Sequence, residues 1–132
     1  MLASARRVAP ARLIVVVGAG GDRDQDKRGL MGAATARFAD LTVITTDNPR
    51  SEDPAAIASE VARGAETSGR SEVTTILERR DAIWFAIGEA TSRDVVLILG
   101  KGHEQGQEIA GTVVPFDDVA VATAALEGPG NG

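Results

Sequence analysis

The groups able to do chemistry in this chain fall in three short stretches: Gly18-Ala19-Gly20-Gly21-Asp22-Arg23-Asp24, Asp47-Asn48-Pro49-Arg50 and Gly100-Lys101-Gly102-His103-Glu104. Arg23 and Arg50 are planar forks suited to bidentate recognition of a carboxylate, while Asp47 and Glu104 accept hydrogen bonds from ammonium groups. Two cations and two anions around one rim suit a ligand that carries both carboxylates and amines, which is to say an amino acid. Each stretch also has a plainer reading. The first is a glycine turn with solvated charges, the second a strong turn with Arg50 pointing into water, and the third a tight turn in which His103 is structural or orienting. Two familiar phosphate cradles are incomplete. The third glycine of a G-x-G-x-x-G turn would fall on Arg23, and neither Lys27 nor Lys101 is followed by the hydroxyl residue of a phosphate loop.

Composition removes several other chemistries. The chain has no cysteine and one histidine, so disulfides, thiolate metal sites, cysteine nucleophiles and most histidine-built zinc or triad sites are excluded, and no metal site is expected. Nineteen acids against fourteen bases give a net charge of −5, the wrong sign for holding a polyanion over a broad surface. Aromatics make up only 3% of the chain, leaving no stacking platform for single strands, so no nucleic-acid partner is expected. No apolar stretch is long enough to cross a bilayer, and residues 1–12 lack the apolar run of a secretory signal; no membrane partner and a cytoplasmic location are therefore expected.

The elements that must position these groups alternate. A length of 132 residues fits one domain. Residues 13–17 and 95–99 are aliphatic runs that read as strands buried on both faces, and residues 41–46 form a β-branched strand stopped by Pro49. Leu30, Ala34 and Phe38 recur at one helical face after a charged loop over residues 18–29. Asp53 and Pro54 match an N-cap and a first-turn proline, with Ile57, Val61 and Ala65 repeating until Gly69. A short strand over residues 73–77 precedes a helix opened by Asp81, with Ile83, Ile87 and Ala90 on one face; residues 107–116 read as a hairpin turning near Ala110-Gly111 and residues 117–126 as a closing helix. This order predicts an α/β, Rossmann-like fold: a mostly parallel sheet with helices on both faces and a C-terminal β-hairpin. Ligands of open α/β sheets bind beyond the carboxyl ends of the strands, so residues 18–29, 47–53 and 100–106 are expected on one rim.

The run Gly20-Gly21-Asp22-Arg23-Asp24 with Lys27-Arg28 and Met31-Gly32, then Asp47-Asn48-Pro49-Arg50, then Gly100-Lys101-Gly102-His103-Glu104, resembles the C-terminal domain of the Mur ligases, in order and over residues 13–126. The chain departs from that pattern at Gly106, where an aromatic is expected. The resemblance implies a division into a linker or N-terminal extension (1–12), an amino-acid-binding domain (13–127) and a flexible tail (128–132). In that family Asp-Asn-Pro-Arg goes with meso-diaminopimelate, as opposed to lysine, as the amino acid added to UDP-N-acetylmuramoyl-L-alanyl-D-glutamate in peptidoglycan synthesis. Carried over, meso-diaminopimelate would be bound by Arg23, Asp47, Asn48, Arg50, Gly100 and Glu104, with Arg50 on the carboxylate of its distal end. Lys27 and Arg28 would reach nucleotide phosphates across a domain cleft. The implied chemistry is phosphorylation of the glutamate side-chain carboxylate by ATP with Mg2+, followed by attack of the diaminopimelate amine on the acyl-phosphate. This chain would supply orientation and no catalytic residue. The ATP-binding and UDP-binding domains of such a ligase have no counterpart here, so the chain alone is expected to be inactive and to bind no cofactor. The alternatives are a non-catalytic module that senses an amino acid or docks on a partner, and a generic nucleotide-binding α/β domain.

Overall fold

The computed structural model describes residues 11–20, 26–91, 93–99, 106–109, 112–115 and 118–127. Four strands, β1 (Leu13–Ala19), β2 (Leu41–Thr46), β3 (Glu72–Thr75) and β4 (Val95–Ile98), form a parallel sheet in the order β3-β2-β1-β4. Helices α1 (Asp26–Phe38), α2 (Pro54–Glu66), α3 (Arg79–Glu89) and α4 (Asp118–Glu127) complete the layers. The strands β5 (Gly106–Ile109) and β6 (Thr112–Pro115) form a separate antiparallel hairpin in which Ile109 pairs with Thr112; the turn expected near Ala110-Gly111 lies outside the described residues. The fold is α/β and Rossmann-like.

Every residue of β1 is buried, which explains its unbroken aliphatic run. Alternate residues serve opposite faces of the sheet. Leu13, Val15, Val17 and Ile44 pack with Ile57, Ala58, Val61 and Ala65 of α2 and Ala36 of α1. Ile14, Val16, Leu41 and Val43 pack with Ala82, Ile83 and Ala86 of α3, and Val121 and Ala122 of α4 border this second core. The start of α2 is local chemistry: Pro54 opens the helix and the Asp53 carboxylate accepts from the Ala55 N–H at 3.1 Å. Gly69, beyond the last turn, has φ +66°.

The face presented by α1 differs from expectation. The helix begins at Asp26, inside the segment read as loop, and the residues of the predicted apolar face are not the buried ones. Leu30 is 69% exposed, Ala34 is exposed and Phe38 half-buried, while Arg28, Gly32, Thr35 and Ala36 are buried. The reason is the neighbour. A Cβ on Gly32 would overlap the Val61 carbonyl, and one on Gly64 would overlap Gly29, so α1 and α2 meet backbone to backbone. A leucine in that seam would hold them apart.

The amino edge of the sheet is closed by side-chain carboxylates. Asp40 accepts from the Leu13 N–H at 2.8 Å. Asp94 accepts from the N–H groups of Thr91 (2.8 Å) and Arg12 (2.9 Å) and from the Arg12 guanidinium. These bonds hold the Asp94 carboxyl at a pKa of about 2, with the Thr91 N–H the largest cause. The carboxyl edge carries the loops.

Candidate functional site

β1 and β2 finish in register, with Ala19 beside Thr46, so Gly20 and Asp47 leave the sheet side by side. The Leu99 N–H donates to the Val16 carbonyl at 2.8 Å, so β4 ends toward this edge too; residues 100–105 lie outside the described residues. The strand order builds outward in opposite directions from between β1 and β4, the switch point at which open α/β sheets take ligands.

Within the described residues the site is formed by the end of β1 and the loop 47–53. Pro49 is buried, whereas Asp47, Asn48 and Arg50 are half-buried; the Oδ1 atom of Asp47 is itself buried. Among the described non-glycine residues Arg50 alone has a positive φ, +53°. That left-handed conformation costs a side-chain-bearing residue about 1–2 kcal/mol, and such strain clusters at ligand clamps. The side chain reaches the residue that follows β1. The Arg50 Nη1 donates to the Asn48 carbonyl at 3.3 Å and lies 3.0 Å from where a Cβ on Gly20 would stand. Glycine at position 20 lets the guanidinium come this close.

Arg28 stands differently from the phosphate contact expected of it. Its side chain is only 3% exposed, because it enters the cleft between α1, α2 and the loop instead of facing solvent. Its Nη2 donates to the Gly20 carbonyl at 3.2 Å and to Glu52 Oε1 at 2.8 Å, and its Nη1 donates to Glu60. The hydrogen bond to Glu52, and after it that to Glu60, raises the Arg28 pKa further despite burial, so the group is a permanent cation with two anionic partners. Lys27, the other expected phosphate contact, is exposed on α1. Arg23, Gly100 and Glu104, like His103, lie outside the described residues.

A second buried arginine has no sequence signal. Arg79, in the first turn of α3, is 1% exposed and grips Asp118 at the start of α4 with two bonds of 2.7 Å, Nε to Oδ1 and Nη2 to Oδ2. It also donates to the carbonyls of Thr46 (3.2 Å) and Leu99 (3.1 Å). Those carbonyls immediately precede Asp47 and Gly100, so one guanidinium ties down the roots of two of the three loops. Only the partner, 39 residues away in sequence, identifies the role.

Elsewhere, a groove of about 450 Å³ between α3, α4 and β4 is walled by Ile87, Ala90, Val96, Ile98, Ala122 and Leu126, with Thr91 and Asp94 as its polar members. It offers no cation to a carboxylate. Among the described residues there is no cluster of three or more metal-ligating side chains, and no helix is long and apolar enough to cross a membrane.

The arrangement can therefore do two things: present a guanidinium to an anionic group at the carboxyl edge, and hold the loops that carry it. Comparison with known proteins bears on the family to which the chain belongs. The family model described as "Mur ligase, glutamate ligase domain" matches residues 1–102. The chain is 50% identical over 130 residues to the UDP-N-acetylmuramoyl-L-alanyl-D-glutamate--2,6-diaminopimelate ligase of Streptomyces coelicolor, covering 96% of this chain and 26% of that protein. It is 49% identical over 126 residues to the ligase of the same name from Geobacillus thermodenitrificans, again covering 96% and 26%. A solved structure of a ligase with this name superposes with a TM-score of 0.89 at 41% identity, over 96% of this chain and 26% of that one. The chain thus spans about a quarter of the length of the relatives it matches. On the matched family model, on these identities and on the shared fold, it belongs to the Mur ligase, glutamate ligase domain family.

Proposed function

We propose that this chain is the amino-acid-binding domain, residues 13–127, of an ATP-dependent cytoplasmic ligase that adds meso-diaminopimelate to UDP-N-acetylmuramoyl-L-alanyl-D-glutamate in peptidoglycan synthesis. The observation that carries this is Arg50: a strained, half-buried arginine whose guanidinium is seated over Gly20 at the carboxyl edge of the sheet. The names of the relatives supply the amino acid it would meet. A planar fork matches the distal carboxylate of diaminopimelate, and lysine has no such group, so lysine would leave the guanidinium without that partner. Asp47 and Asn48, on the same loop, would lie beside Arg50 at that distal end, with Arg23, Gly100 and Glu104 as further contacts.

In such a ligase ATP with Mg2+ supplies the phosphoryl group that activates the acceptor carboxylate. Arg28 does not fit a phosphate contact, being buried against two carboxylates, which leaves Lys27 as the cation of that pair able to face a nucleotide. The work of this chain's own residues is to bind the amino acid and orient its amine.

Calorimetry of the chain with meso-diaminopimelate and with lysine tests the reading, since tighter binding of diaminopimelate is required. Arg50→Ala removes charged hydrogen bonds that contribute about 1.5–3 kcal/mol. The affinity for diaminopimelate should therefore fall by about 10-fold to somewhat over 100-fold, and that for lysine by much less. Equal binding of the two amino acids by the unaltered chain would overturn the assignment.

A further inference from the structure

Arg28 and its acidic partners have no place in the binding role just described, yet they surround it. The Arg28 guanidinium touches three separate pieces of the molecule. Its Nη2 bridges the Gly20 carbonyl, at the end of β1, and Glu52, in the loop after β2; its Nη1 anchors both to Glu60 on α2. Arg50 belongs to the second of these pieces and rests against the first. Its Nη1 lies against Gly20, and its backbone is part of a turn that the Glu52 N–H closes by donating to the Pro49 carbonyl at 3.0 Å. Shifting Glu52 therefore shifts the turn that carries Arg50, and shifting Gly20 moves the surface on which its guanidinium rests.

We infer that Arg28 is a positioning residue for amino-acid recognition: by tying the Gly20 carbonyl to the Glu52 carboxylate, it fixes where the Arg50 guanidinium stands. The inference rests on the proposed role of Arg50 for its ligand, though not for its geometry. A buried ion pair is weak evidence for stability, and its best-attested use is to select one arrangement over others. The bridge has the geometry for that use. The two ends of one planar fork act at once, Nη2 on Gly20 and Glu52 and Nη1 on Glu60, and the single nitrogen of a lysine ammonium cannot occupy both positions. Burial of the guanidinium against 23% and 33% exposure of the partner carboxylates leaves Arg28 no alternative partner in solvent, so the loops conform to it.

Two variants test this, Arg28→Lys and the milder Glu52→Gln, which keeps an acceptor but removes its charge. Each is first checked for cooperative urea unfolding, and Glu52→Gln decides the matter if Arg28→Lys fails to fold. The first readout needs no ligand: the side-chain Nε–Hε resonance of Arg50 by NMR, expected to move or broaden in either variant. The second is calorimetry with meso-diaminopimelate and lysine. A displaced Arg50 guanidinium forfeits a charged hydrogen bond to the distal carboxylate, so Arg28→Lys should weaken diaminopimelate binding by about tenfold or more, with Glu52→Gln smaller in the same direction. Lysine binding should change by less than about twofold. A general loss of structure would weaken both amino acids alike. An unmoved Arg50 resonance in a folded variant overturns the inference, as does an unchanged ratio of the two affinities. If the unaltered chain shows no preference for diaminopimelate, the functional reading fails, and the resonance alone then decides whether Arg28 positions Arg50.

Discussion

Gly20→Ala separates the geometry of the site from the stability of the fold. A Cβ at position 20 would stand 3.0 Å from Arg50 Nη1 and 3.8 Å from the Asn48 carbonyl oxygen. Ordinary non-bonded contact between heavy atoms begins near about 3.5 Å. The guanidinium must then withdraw by about 0.5 Å, while the Asn48 carbonyl stays where it is. The added methyl meets the far end of a flexible side chain, and Gly20 is not among the residues with positive φ. The folded state is hardly strained, and the loss of freedom in the unfolded chain favours alanine by about 0.4–1 kcal/mol. The ligand is affected in the opposite sense. A withdrawal of that size forfeits about one charged hydrogen bond to the distal carboxylate, about 1.5 kcal/mol, or about tenfold in affinity. Gly20→Ala should therefore unfold at an unchanged or slightly higher urea concentration yet bind meso-diaminopimelate about tenfold more weakly, with lysine little affected. Urea denaturation followed by circular dichroism gives the first quantity and calorimetry the second. Diaminopimelate affinity within twofold of the parent would mean that Arg50 does not read the distal carboxylate from its seat over Gly20.

Asp118→Asn leaves the buried Arg79 without its anion, a loss of about 3–5 kcal/mol against a domain stability of about 5–15 kcal/mol. The urea midpoint should fall by about 2 M for a slope near 2 kcal/mol/M; a fall under about 0.5 M would show that the pair does not hold α3 to α4. Asp94 predicts a pH dependence. Its carboxyl is depressed from the ordinary 3.8 to about 2, so the folded state binds this proton less readily than the unfolded state. The stability it contributes is fully present above about pH 4 and is lost as the pH falls toward 2. The stability gap between the parent and Asp94→Asn should narrow across that window, and parallel curves there would contradict the assignment.

The fold class was legible in the residues because its causes are local or periodic. A strand buried on both faces must be aliphatic throughout, as residues 13–17 and 95–99 are, and β1 proves buried at every position. The Asp53 cap and Pro54 start α2 through contacts within three residues. Strands alternating with helices leave few arrangements other than a parallel sheet, and a parallel sheet puts the segments after β1, β2 and β4 at one edge. Asp47, Asn48 and Arg50 were accordingly placed in a loop at that edge from sequence alone.

What only tertiary structure decided depends on partners far away in the chain. The spacing of Leu30, Ala34 and Phe38 pointed α1 the wrong way, because the buried face is chosen by how closely another helix can approach, and glycines at 32 and 64 permit an approach that leucine would prevent. Arg28 was read, with Lys27, as a contact for nucleotide phosphates across a domain cleft. Its neutralising carboxylates, Glu52 and Glu60, come from 24 and 32 residues away. Arg79 and Asp118, 39 residues apart, carried no pattern at all. A charged side chain's type tells what it can bind, but burial sets which partner it must take, since an unpaired charge cannot stay inside, and burial is a property of the assembled layers.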